Sequence, residues 1–130
     1  MIEKYRVWIK TEGCFADYIE SIRFYSKEID LCWGGICESD CFNFEDVIFM
    51  QSTGMVDEIG YELFEGDIIL WTYWDEFQDE GVAKIVFDKG MFKLLDHITG
   101  EEVWDSLSDC AENCNVYLQG NIYENPELLE

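Results

Sequence analysis

Three evenly spaced glycines in the centre of the chain limit the folds that it can adopt. Residues 51–70 have the sequence QSTGMVDEIGYELFEGDIIL, in which Gly54, Gly60 and Gly66 are six positions apart. Glycine adopts positive φ angles without a Cβ clash, so each of the three is suited to a tight reversal of the backbone. The stretch therefore predicts a strand end, two glycine turns and a tight 65–67 corner that leads into an apolar strand.

Period-two alternation and β-branched or aromatic residues predict further strands on both sides of this centre. These strands are expected at residues 3–10, 18–24, 28–33, 47–51, 67–73, 81–88, 91–95 and 116–123. Lys89-Gly90 predicts a hairpin turn. Residues 38–46 are expected to be a linking segment, and residues 108–115 to form one helical turn.

Many short strands with glycine turns between them predict a mainly β protein, either a small barrel or a sandwich. The 130 residues suit one compact domain, or one domain with a small added layer. Residues 1–46 are expected to form a smaller N-terminal β or α+β segment. This segment is expected to pack on a barrel formed by residues 47–130.

The charge of the chain is strongly negative and unevenly distributed. Twenty-nine Asp and Glu residues oppose eight Lys and Arg, a net charge of −21, and residues 51–130 alone carry −16. Direct nucleic-acid binding is not expected, because such binding depends on Lys and Arg that neutralise phosphates. The charge either keeps a soluble domain dispersed, or imitates a polyanion and occupies the nucleic-acid groove of another protein.

Two motifs resemble one protein family. The central stretch is similar to the TG-x-x-D-x-x-G-x-x-(aromatic)-E-G-D-I segment of the YopX family of phage and prophage proteins, and the chain end QGNIYENPELLE is similar to that family's closing motif. The resemblance implies an SH3-like barrel in the C-terminal part and a phage or prophage source, and it brings no catalytic residues. Ile59 stands where the family usually has a polar turn residue, which predicts a more buried or wider turn.

The sequence predicts no catalytic centre and no cofactor. The single histidine, His97, is expected to be an exposed turn residue, and Gly34-Gly35 lacks the Lys and Ser or Thr of a phosphate-binding loop. The cysteines have two interpretations, buried free thiols or a zinc site. The zinc ligands would be Cys37, Cys41, Cys110 and Cys114.

Acidic side chains near the central turns form the candidate protein-binding site. The predicted acidic face consists of Glu58, Glu62, Glu65, Asp67, Asp75, Glu76, Asp79 and Glu80, with Trp74 and Phe77 as aromatic anchors. Residues two apart on a strand share a face at roughly 6.6–6.8 Å, similar to the spacing of phosphates along a nucleic-acid strand. Aromatic residues are enriched at interface hot spots. The alternative is a solvated acidic face with its aromatic side chains turned inward.

The expected function is that of a non-enzymatic phage accessory protein. It would inhibit a host protein with a basic nucleic-acid groove, a CRISPR effector or a restriction enzyme, in the cytoplasm of the host cell. No membrane association is expected, because no apolar run approaches the ~20 residues of a membrane helix. The alternative is a structural or assembly module that self-associates into a homo-oligomer and has no role in host defence.

Overall fold

β-Strands make up most of the computed structural model, which describes residues 4–35, 38–73 and 80–129. The chain divides into two units, Met1–Gln51 and Ser52–Glu130. The division falls within one long strand, so this strand contributes residues to both units.

The N-terminal unit contains two groups of antiparallel strands. Its strands are β1 (Tyr5–Ile9), β2 (Cys14–Phe15), β3 (Tyr18–Arg23), β4 (Glu28–Cys32), β5 (Ser39–Asn43) and the first half of β6 (Val47–Val56). Strand β1 pairs with β2 on one side and with β6 on the other, and β3, β4 and β5 form a separate three-stranded sheet.

Alternating apolar residues form the core of the N-terminal unit. Val7 and Ile9 of β1 and Ile29 and Leu31 of β4 are almost completely buried, together with Val47. Side chains two residues apart point to the same face of a strand, so the period-two pattern of β1 and β4 places these residues in one core. The predicted strands in this part of the chain are confirmed.

Strand β5 lies in residues 38–46, which were expected to be only a linking segment, so that expectation is wrong. Ser39, Asp40 and Cys41 are exposed, and the strand has almost no apolar alternation. Its conformation is stabilised by pairing with β4, in which Phe42 lies opposite Ile29. Pairing with a neighbouring strand outweighs weak intrinsic β-propensity at an edge.

The C-terminal unit contains a curled five-stranded antiparallel sheet, a half-barrel. The strand order is β11-β10-β9-β8-β12. The elements of the whole unit are the second half of β6, β7 (Glu62–Phe64), β8 (Asp67–Tyr73), β9 (Glu80–Asp88), β10 (Met91–Asp96), β11 (Glu102–Trp104), α1 (Leu107–Asn113) and β12 (Cys114–Asn121). The prediction of a mainly β, barrel-like fold is confirmed.

Local sequence signals explain the tight β9–β10 hairpin and the start of α1. Lys89 and Gly90 have φ angles of 52° and 81°, as a two-residue hairpin turn of the primed class requires. Ser106 caps α1, because its side chain accepts a hydrogen bond from the backbone N–H of Asp109. The helix is longer than the single turn predicted, since Leu107 and Cys110 are buried in the core of the unit.

Candidate protein-binding surface

The three central glycines all have positive φ angles, at 77°, 109° and 88° for Gly54, Gly60 and Gly66. Glycine was therefore correctly expected to be conformationally required at these positions. Gly54, however, does not form a turn. Strand β6 continues through it, and its pairing with β7 shifts register between Ser52 and Val56, as at a β-bulge.

Asp67 stabilises the corner between β7 and β8. Its Oδ2 atom accepts a hydrogen bond of 2.7 Å from the backbone N–H of Phe64. The backbone of Gly66 joins the corner to the rest of the unit, because its N–H donates to the carbonyl oxygen of Ile85 and its own carbonyl oxygen accepts from Ile122. Asp67 is only 1% exposed. Its assignment to the acidic face is wrong, because this carboxylate is used inside the fold.

Asp57 organises the connection between β6 and β7. We call residues 56–61, the last residue of β6 and the five connecting residues, the Asp57 loop. The Oδ1 atom of Asp57 accepts hydrogen bonds from the backbone N–H groups of Ile59, Gly60 and Tyr61 at 3.0, 2.9 and 2.8 Å. Its Oδ2 atom accepts a further bond of 2.9 Å from the N–H of Leu118 in β12. One side chain thus holds the loop together and ties it to the sheet.

The Asp57 carboxylate is 5% exposed, and its charge is stabilised by backbone dipoles. Burial alone would raise the pKa of this group, but the N–H donors of Leu118, Tyr61, Ile59 and Gly60 outweigh burial and hold the pKa below its usual value. The group is therefore ionised at neutral pH, and as an acceptor only it matches the four donors around it.

Apolar side chains project from the Asp57 loop into solvent. Val56, Ile59 and Tyr61 are 60%, 71% and 58% exposed. Of the two expectations for the turn at Ile59, that it is more buried or that it is wider, the first is wrong. The inward-facing acceptor Asp57 satisfies the backbone of the loop, so the apolar side chains do not have to turn inward to stabilise it.

The other residues of the predicted acidic face differ in exposure. Glu58 and Glu80 are exposed, whereas Glu62 and Glu65 are half-buried. The remaining predicted residues lie outside the described part of the chain, namely Trp74, Asp75, Glu76, Phe77 and Asp79. Two of the eight predicted acids are thus found on the surface and one is buried, and the proposed aromatic anchors stay predictions.

A second group of exposed acids was missed by sequence reasoning. It follows β10 and continues to the end of α1, and its members are Glu101, Glu102, Asp105, Asp109 and Glu112. We call it the 101–112 acidic segment. The signal in the sequence is five acids within twelve residues that contain no Lys or Arg. The acidic face was predicted near the central turns, where the family motif lies, although the acids of the later group are more uniformly exposed.

Few cations are available to neutralise these acids. The C-terminal unit has three basic residues, of which Lys93 lies 3.6 Å from both Asp88 and Glu102. In the N-terminal unit, Arg23 likewise forms ion pairs with two acids, Asp30 and Glu28, and its hydrogen bond to Asp30 holds the pKa of that carboxylate at about 2. Uncompensated negative charge is therefore concentrated on the C-terminal unit.

The cysteines are found in different surroundings. Cys110 and Cys114 are buried in the core of the C-terminal unit, and burial raises the pKa of both thiols. Cys41 is exposed on β5 beside Arg23, and Cys37 lies outside the described residues. Among the described residues, no group of three or more metal-ligating side chains lies together. Cys110 and Cys114 fit the interpretation as buried free thiols.

His97 lies in the turn after β10, as expected, but it is half-buried, so the expectation that it is exposed is wrong. Both its backbone N–H and its ring Nδ1 atom lie within hydrogen-bond distance of the carbonyl oxygen of Val82, at 3.1 and 2.8 Å. The ring thus helps to tie the end of β10 to β9. Across the described residues, no helix has the length and apolar character needed to cross a membrane.

The fold and these surfaces define an acidic, mainly β protein that displays a well hydrogen-bonded loop with exposed apolar side chains, and carboxylates with few counter-charges. The chain belongs to the YopX family, because the profile of the family described as YopX protein matches residues 4–130. The family resemblance of the two sequence motifs is confirmed. A comparison with curated proteins gave no match.

Two solved structures are similar over nearly the whole chain. Protein EF1440 from Enterococcus faecalis is 26% identical, with a TM-score of 0.66, and the match covers 100% of this chain and 99% of that one. Protein YopX from Bacillus subtilis is 18% identical, with a TM-score of 0.62 and 97% of each chain covered. The second likeness shows the fold alone.

Proposed function

We propose that this protein is a non-enzymatic phage accessory protein that inhibits a host defence enzyme acting on nucleic acid. It binds the basic nucleic-acid groove of a CRISPR effector or a restriction enzyme, and it does so in the cytoplasm of the host cell. The observation that carries the proposal is the net charge of −16 on residues 51–130.

The exposed acids of the C-terminal unit provide the charge pattern that such binding needs. Asp109 and Glu112 are three positions apart in α1, so they are neighbours on the helix surface, with about 5–6 Å between their Cβ atoms. Together with the rest of the 101–112 acidic segment they form a closely spaced series of negative charges. A groove lined by Lys and Arg attracts such a series as it attracts phosphates.

The proposal is tested by DNA loading. A panel of purified CRISPR effectors and restriction enzymes is mixed with fluorescent DNA at low salt, with and without an excess of this protein. We expect loading of at least one enzyme to be blocked, because protein and DNA compete for one groove. Undiminished loading across the panel would contradict the proposal.

Two matched variants distinguish the effect of where negative charge is removed from the effect of how much is removed. Glu101→Gln, Asp105→Asn and Glu112→Gln together remove three exposed charges from the 101–112 acidic segment. Glu12→Gln, Glu38→Gln and Glu45→Gln remove three exposed charges from the N-terminal unit. We expect the first variant to inhibit about tenfold more weakly, from about 0.5 kcal/mol per charge pair, and the second to change inhibition by less than about twofold.

Self-association is the rival function, and light scattering distinguishes it. A protein that acts as a monomeric inhibitor forms a 1:1 complex with its target. A stable ring of the free protein, combined with unaffected DNA loading, would support an assembly role instead.

A further inference from the structure

The Asp57 loop combines three exposed apolar side chains with an unusually well-bonded backbone. Val56, Ile59 and Tyr61 are each more than half exposed. Besides the four bonds to the Asp57 carboxylate, the N–H of Asp57 donates to the carbonyl oxygen of Tyr61, and the N–H of Glu58 donates to that of Val116 in β12. These bonds order the backbone that carries the three apolar side chains.

Apolar side chains on an ordered backbone are well suited to binding. Association costs free energy for every side chain and loop that must be ordered, and a loop that is already ordered avoids part of that cost. A few side chains in well-packed pockets account for most of the energy of typical interfaces, and tyrosine is enriched among them. Tyr61 is such a residue, and Ile59 adds a second exposed apolar side chain to the same loop.

The surrounding charge indicates what kind of surface the loop fits. Residues 28–83 contain no Lys or Arg, and Glu58 is exposed within the loop itself. A second copy of this chain is a poor partner, because two molecules that each carry −21 repel one another. A protein whose apolar pocket is rimmed by Lys and Arg is complementary in both respects.

We propose that the Asp57 loop is an anchor that inserts Ile59 and Tyr61 into an apolar pocket of the target protein, next to its basic nucleic-acid groove. This inference rests on the proposed function and adds to it a contact that does not depend on charge. Carboxylates would guide the encounter, and the apolar anchor would slow dissociation.

The anchor is tested by measuring the affinity of the 130-residue protein for the effector that the loading panel identifies. The test variant is Ile59→Ala with Tyr61→Ala. The control is Ile98→Ala, because Ile98 is 61% exposed and lies in a comparable turn in which the Asp96 carboxylate accepts its backbone N–H. Circular dichroism verifies that each variant is folded, as expected for exposed positions.

We expect the test variant to bind at least about tenfold more weakly, mainly through faster dissociation, and the control to bind within about twofold of the wild type. Wild-type affinity of the folded test variant would overturn the anchor and leave the proposed function standing. Failure of the wild-type protein to bind any effector would overturn the proposed function and, with it, the partner assigned to the loop.

Discussion

Asp57 and Glu58 are adjacent acids with opposite roles. Asp57 is buried and accepts four backbone hydrogen bonds, whereas Glu58 is exposed. The difference comes from the length and direction of the two side chains, since the shorter carboxylate reaches the N–H groups of its own loop. A count of charges does not distinguish a buried acid from an exposed one. For the same reason, Asp67 was predicted to lie on the surface although it is buried.

Replacing Asp57 with asparagine should destabilise the protein. Both carboxylate oxygens of Asp57 accept backbone N–H groups, whereas asparagine has an NH2 group in place of one of these oxygens. An NH2 group is a donor and cannot accept a hydrogen bond, so at least one backbone N–H would lose its partner. We expect the free energy of unfolding to fall by about 1–3 kcal/mol, the cost of a buried unsatisfied donor, in urea denaturation. Glu58→Gln is the control and should change it by less than about 0.5 kcal/mol. Equal denaturation midpoints for Asp57→Asn and wild type would contradict the role of Asp57.

The low pKa of Asp57 makes stability depend on pH in a defined direction. Its folded-state pKa lies below the unfolded value of about 3.9, so its contribution is complete above that pH and is lost as the pH falls through the folded pKa. Hydrogen bonds from the N–H groups of Thr99 and Ile98 likewise lower the pKa of Asp96. We expect the free energy of unfolding to lose these contributions below about pH 4.

Other carboxylates titrate in the same range, so the comparison with a variant isolates Asp57. Urea denaturation at a series of pH values should show a smaller acid-induced loss for Asp57→Asn than for the wild type. Parallel curves for the two proteins would mean that the ionised form of Asp57 does not stabilise the fold.

At the scale of elements, the sequence predicted strands where apolar alternation or turn chemistry was strong. Strands β1, β4 and β8 and the Lys89-Gly90 hairpin follow from such signals. The prediction failed at β5, an exposed edge strand stabilised by its neighbour, and at Gly54, where a bulge keeps β6 continuous. In both cases pairing between strands decides the structure, and the local sequence of one strand does not show which strand it pairs with.

Helix α1 provides a test at the same scale. Ser106→Ala removes the side-chain oxygen that accepts the N–H of Asp109 at 3.1 Å. We expect the variant to lose about 1 kcal/mol of unfolding free energy in urea denaturation, as is usual for an N-cap serine. The control is Ser108→Ala, because Ser108 lies two residues further along the chain and is exposed. We expect this control to change the free energy of unfolding by less than about 0.5 kcal/mol. A similar loss in both variants would argue against a specific capping role.

At the scale of the whole molecule, the sequence predicted the sign and the uneven distribution of charge but only part of the candidate surface. Glu58 and Glu80 were correctly expected to be exposed, and the 101–112 acidic segment was missed. The exposed apolar side chains of the Asp57 loop were also missed, because the turn at Ile59 was expected to be more buried or wider. Because Asp57 satisfies the backbone of the turn from inside the fold, Ile59 can remain exposed there, and this arrangement is not evident from the residue type of Ile59.

The most direct test of the central proposal is the salt dependence of binding to the effector whose DNA loading is blocked. Exposed charges are screened beyond about 8 Å at physiological ionic strength and beyond about 3 Å at 1 M. We predict that affinity falls steeply as salt is raised, and less steeply for the variant Glu101→Gln, Asp105→Asn and Glu112→Gln. Affinity that does not change with salt, or equal salt dependence of wild type and this variant, would contradict recognition through the acidic surface.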